Sequence, residues 1–169
     1  METSVKLYSL DYQNVKTYLY ASLFVAGNIL LPQLCHLIPQ GGVTLLPIYF
    51  FTLIAAYKYG IRVGLLTAIL SPVVNHLLFA MPAAEVLPAI LIKSTLLAIA
   101  AGIAARTIRQ ISLLALVGVI LSYQIVGSLM EWMLCGSFFA ALQDFRIGIP
   151  GMLIQLFGGY ALLKAIAKA

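Results

Sequence analysis

Charge is scarce in this chain. Only 9% of its 169 residues are charged and 63% are hydrophobic, whereas an ordinary soluble domain carries about 25% charged residues. So little polar surface cannot cover a globule in water, which excludes a soluble fold. Acid–base machinery is equally thin, with two histidines and five carboxylates. No His-Glu-x-x-His, Gly-x-Ser-x-Gly or phosphate-cradling lysine loop occurs, and no helix carries paired carboxylates. No catalytic residue and no cofactor is therefore assigned, and the expectation is a protein that is not an enzyme. An intramembrane hydrolase has little to be built from. Without a nucleotide loop, any active transport draws its energy from another subunit or a gradient. Two cysteines, Cys35 and Cys135, do not establish a disulfide. No Ser/Pro-rich linker or low-complexity run divides the chain, so residues 1–169 read as one domain. The first residues lack the apolar core and cleavage pattern of a signal peptide, and residues 1–14 are expected to form an amphipathic lead-in at a membrane surface.

What is present is apolar length. A spanning helix needs about 20 mostly apolar residues, because about 30 Å of hydrocarbon is crossed at about 1.5 Å per residue. Six segments qualify: Val15 to Leu34, Thr44 to Tyr59, Ile61 to Ala80, Val86 to Ala105, Ser112 to Gly136 and Gly148 to Ala167. The second is the shortest, and extends into its loops if it is to span. The segments do not alternate as barrel strands do, and backbone groups in lipid must be satisfied internally, so helices are expected. The fold class is an all-α integral membrane protein, a compact bundle of six transmembrane helices.

Basic residues orient it. With the amino terminus inside, Lys6, Lys16, Lys58, Arg62, Arg106, Arg109, Lys164 and Lys168 fall on the cytoplasmic side and Arg146 alone falls outside. Both termini are then cytoplasmic. The net charge of +5 is explained by this asymmetry and by anionic lipid, so nucleic acid is not needed as a partner.

The informative residues are polar groups within the spans, which are costly in hydrocarbon unless they meet a cavity or a partner. They are Asn28, Asn75, His76, Lys93, Gln124, Glu131 and Gln155. Because odd-numbered helices run outward and even-numbered ones inward, all but the central Gln124 fall in the outer half. This distribution predicts a polar cavity there, closed toward the cytoplasm by apolar packing. Gln124, Ser128, Glu131 and Cys135 share one helical stripe, and Thr67, Ser71 and Asn75 share another. Hydrogen bonding between helices accounts for such hydroxyls equally well. Lys93 and Glu131 form an ion pair, or they hold an anionic group and a donor group of a ligand; the residues alone leave both open. In the first outer loop, Cys35 and His36 are suitable metal ligands, but one adjacent pair is a weak signal. Trp132 points about 100° away from Glu131 and suits an interfacial anchor.

The run Tyr57-Lys58-Tyr59-Gly60-Ile61-Arg62-Val63-Gly64-Leu65-Leu66, joining the second and third of six short helices, resembles the substrate-binding S component of an energy-coupling factor (ECF) vitamin transporter. The resemblance covers nearly the whole chain and rests on layout more than on one motif. It implies a protein of the bacterial cytoplasmic membrane that binds a vitamin or related micronutrient near the outer face. It also implies partnership with a membrane coupling protein and two ATPase subunits. The family's Ala-x-x-x-Ala on the first helix is matched by Ser22 and Ala26, with Ser in the first place, and implies a contact with the coupling protein. The family's first outer loop acts as a gate, which implies that role for His36, Gln40, Gly41 and Gly42. The alternative is a six-helix scaffold protein of the inner membrane that binds no vitamin.

Overall fold

The computed structural model describes residues 7–167, the side chain at position 144 excepted. Its regular elements are helical, and six are long and apolar enough to cross a membrane. They are α1 (Val15–Cys35), α2 (Gly41–Tyr59), α3 (Ile61–Phe79), α4 (Leu87–Ile108), α5 (Leu113–Cys135) and α6 (Ile149–Ala167). Two short helices, Phe138–Ala141 and Gln143–Ile147, fill the loop between α5 and α6. Asn14 starts α1, its Oδ1 accepting from the Lys16 amide at 3.0 Å. Gly60 joins α2 to α3 with no loop at all. Its φ of +101° is closed to most side chains, and its amide still donates to Ala56 O at 3.1 Å.

The shortest apolar run became the axis of the bundle. α2 starts at Gly41 rather than Thr44 and is assembled from a helix (Gly41–Leu45), a 3-10 turn (Pro47–Tyr49) and a second helix (Phe50–Tyr59). That second helix packs against α1, α3, α4 and α6, and Leu53, Ile54, Ala55, Ala56 and Tyr57 are completely buried. Small residues permit the approach, as where Gly64 of α3 lies directly on Ala56. Toward the α2–α3 connection the buried cluster includes Leu97, Ala98 and Ala101 of α4 and Leu116 and Ile120 of α5, with Thr17 and Lys58 buried at its edge.

The outside is apolar too. Leu19, Leu23 and Leu30 of α1, Leu129 and Met133 of α5, and Phe157 of α6 are all exposed. A soluble monomer rarely exposes a contiguous patch of that kind, whereas lipid accepts it.

Residues 7–14, the described part of the expected lead-in, form no helix. They run along the end of α2, with the amides of Tyr8 and Leu10 donating to Lys58 O (2.9 Å) and Tyr59 O (3.3 Å). Lys6 and Lys168 lie outside the described residues. Other basic residues gather at this end: Arg62 pairs with Asp11 at 3.0 Å, Lys58 lies 5.4 Å from the Tyr8 ring centre, and Arg106 and Arg109 border a cleft beside Tyr8. Arg146 stands at the opposite end, in the α5–α6 loop.

Candidate ligand cavity

The site begins with two prolines. Pro32 in α1 has no N–H, so the carbonyl four residues back, Asn28 O, loses its helical donor. A group stranded in this way must be satisfied from elsewhere when no water is at hand. Asn75 of α3 does so, its Nδ2 donating to Asn28 O at 2.8 Å and to Ser71 O at 3.2 Å. The second proline, Pro47, disfavours the α region for the residue before it, and Leu46 sits at φ 46°, ψ 47°. α2 breaks there. The new helical start needs capping, and the Asn28 side chain supplies it across the helix interface: Oδ1 accepts from the Phe51 amide at 3.2 Å. Its Nδ2 donates to Thr52 Oγ1 (3.0 Å) and Ser71 Oγ (3.2 Å). Asn28 and Asn75 thus repair what Pro32 and Pro47 disrupt.

Beside this break lies a cavity of about 340 Å³. Its polar contributions are Gln33, His36, Tyr49, Asn75, Glu131 and Gln143. Leu46, Pro47 and Ile48 of the broken segment supply one apolar wall, and the Met81–Ala83 loop with Ala89 and Ile90 of α4 supplies another. Behind Glu131 stands Lys93, completely buried, its Nζ 2.5 Å from Glu131 Oε2. Lys93 reaches its partner by crossing α5 at Gly127, where a Cβ would sit 2.5 Å from Lys93 Cγ. Glu131 is 18% exposed, so the inner member of the pair is the cation and the outer, cavity-facing member is the carboxylate.

Of the residues singled out from sequence, Asn75, Glu131, His36 and Gly42 line this cavity. Lys93 reaches it only through Glu131, and Asn28 stands one hydrogen bond behind Asn75. His76 is not in the lining; its Nδ1 donates to Pro82 O at 2.8 Å and holds the Met81–Ala83 wall. Gln155 and Gln124 are buried elsewhere, between α5 and α6. Gln155 lies in a π-helical turn (Ile154–Gly158) and accepts from Tyr123 Oη at 3.0 Å, and Gln124 Nε2 donates to Met152 Sδ at 3.6 Å. Gln40, at φ 59°, turns the chain into α2 through Gly41, and neither residue lines the cavity. The Gly42 backbone lies under the His36 ring, with room for no side chain between them: a Cβ would stand 2.8 Å from Nε2.

Cys35 is buried, Cys135 is exposed, and both are free thiols. The His36 Nδ1–H donates to Pro32 O at 2.6 Å, and among the described residues no group of three His, Cys, Asp or Glu side chains could hold a metal ion. Ser22 and Ala26 are exposed on α1, pointing away from the bundle.

No family model, curated protein or solved structure matches this chain. Sequence reasoning missed Gln33, Tyr49 and Gln143, because it searched for polar groups deep in the spans and passed over those near helix ends. The signals were Pro32 directly before Gln33 and Pro47 two residues before Tyr49: a proline within an apolar span marks where backbone is released and a cavity can be lined.

Proposed function

We propose that this chain is the substrate-binding S component of an ECF-type importer in a bacterial cytoplasmic membrane, capturing a vitamin or related micronutrient from the outer side. It binds and does no chemistry of its own. The supporting observation is the cavity of about 340 Å³ at the end of the bundle opposite the basic residues, open beside a broken helix. Its volume falls within the range of about 300–1,000 Å³ occupied by small-molecule sites. Irregular backbone at membrane depth is tolerated where it lines a cavity, and half-helices of transporters are used this way. The basic end faces the cytoplasm under the positive-inside rule, which turns the cavity outward. Apolar packing around Leu97, Leu116 and Ile120 closes the inner side, so passage requires a larger movement driven by partners. The exposed Ser22 and Ala26 face offers a membrane coupling protein close backbone approach, and the ATP is hydrolysed by two ATPase subunits.

Purification of the full chain from its own host tests this. Native mass spectrometry is expected to find one small molecule bound, and mild-detergent pull-down is expected to recover a membrane protein with two ATPases. Replacing Ala26 with Trp should abolish uptake while leaving ligand affinity within a factor of two. A chain that carries no small molecule and recovers no ATPase would defeat the proposal and favour a scaffold role.

A further inference from the structure

The cavity also has a hydrogen-bonding polarity, and from it we infer that the ligand presents N–H donors, as an amine, amidine or amino-substituted heterocycle does, and is not a carboxylic acid. This rests on the reading of the cavity as a ligand site. Asn75 decides the first contact. Its Nδ2 faces two carbonyl oxygens, Asn28 O and Ser71 O. Carbonyls only accept, so the amide orientation is fixed, and the atom left over is Oδ1, an acceptor. That oxygen is buried with no hydrogen-bond partner among the described residues. The same logic fixes His36. Nδ1 faces Pro32 O and carries the proton, so in the neutral ring Nε2 offers a lone pair. Glu131 is the third acceptor, and among the described residues it is the one charged side chain lining the cavity.

Three acceptors from α1, α3 and α5 therefore border one space. The Gln33 amide, whose Nε2 is unmatched, is free to meet a single acceptor on the ligand. Charge points the same way. Lys93 lies beneath Glu131 and already compensates it, so the site tolerates a neutral ligand and gains from a cation, whereas an anion entering from the cavity would meet the Glu131 carboxylate before the Lys93 ammonium. Leu46, Ile48, Met81 and Ile90 supply an apolar bed for the rest of the molecule.

The experiment uses the purified full chain and matched probes: benzamidine against benzoate, and 4-aminopyrimidine against pyrimidine-4-carboxylate, with affinities from ligand-observed NMR titration. The donor member of each pair should bind at least tenfold more tightly than its acid. Ala89→Phe, which fills the cavity from α4, should remove that binding without moving the thermal midpoint by more than a few degrees. His36→Phe, at the exposed end of α1, should narrow the preference. If the acids bind as tightly or more tightly, the donor class is overturned while the cavity remains a ligand site. If no probe binds, or Ala89→Phe leaves binding unchanged, both this inference and the reading beneath it fail.

Discussion

Removing either half of the Lys93–Glu131 pair should have unequal consequences, and the inequality comes from position. Lys93 is completely buried between α4 and α5, while Glu131 is 18% exposed at the cavity. Breaking a buried ion pair by deleting one partner costs about 3–5 kcal/mol, because the other charge is left in a low-dielectric surrounding. Glu131→Gln leaves the buried ammonium without its carboxylate and should fall in that range. Lys93→Met leaves a carboxylate that turns to cavity water, so its cost should be smaller, about 1–3 kcal/mol. The double variant Lys93→Met with Glu131→Gln removes both charges at nearly constant volume and should return to within about 1 kcal/mol of the native chain. The coupling is then at least about 3 kcal/mol, well beyond the scatter of about 0.3–0.5 kcal/mol for independent sites. Reversible SDS-driven unfolding in mixed micelles, followed by Trp132 fluorescence, measures all four proteins. Additive single effects, or Lys93→Met costing more than Glu131→Gln, would refute the assignment of Lys93 as the inner partner and return it to the ligand. Gly127→Ala extends the test: a methyl 2.5 Å from Lys93 Cγ forces the stem aside and should cost about 1–3 kcal/mol by overpacking.

The proline repair can be tested by compensation. Asn75→Leu strands Asn28 O and should cost about 1–3 kcal/mol; adding Pro32→Ala restores a backbone donor to that carbonyl and should recover at least half of the loss in the same unfolding assay, and no recovery would separate the two sites. Gly60→Ala, at φ +101°, should destabilise by about 1–3 kcal/mol through backbone strain, measured as a lowered unfolding midpoint; an unchanged midpoint would mean that the α2–α3 turn relaxes. For orientation, single cysteines at Glu85 and Arg106 in a background free of Cys35 and Cys135 should label from outside and inside respectively in intact cells; labelling of both from one side would reverse or abolish the six-span topology.

The helices were legible because a membrane span is written in composition and length. Runs of apolar residues between Gly, Pro and charged punctuation locate all six within a few residues, and the basic cluster that sets the expected orientation also gathers at one end of the bundle. What sequence could not supply was which short run would become the axis. The Thr44 to Tyr59 segment looked weakest because it was shortest, yet its alanines and single-file aliphatics at Leu53–Ala56 allow four helices to close around it. Periodicity carries little information for such a helix, since it is apolar on every face and buried on every face.

For the site, depth was insufficient by itself. It grouped six polar side chains into one outer half, but a bilayer accepts a buried polar group for two different reasons, and only geometry separates them. Asn28 is wholly consumed: its carbonyl accepts from the Asn75 side chain, its amide nitrogen donates to the Thr52 and Ser71 hydroxyls, and its amide oxygen accepts from the Phe51 amide. Asn75 is half consumed, with one end committed to that repair and the other left at the cavity. Glu131 divides similarly, between Lys93 behind it and the space before it. The groups available to a ligand are thus the residual valences of a structural network rather than a separate set of residues. Holding them on committed partners also fixes their direction, because neither Asn75 nor Glu131 can turn without stranding a carbonyl or a buried ammonium. The bonds that let the helices break inside the membrane are the same bonds that would preorganise the proposed ligand site.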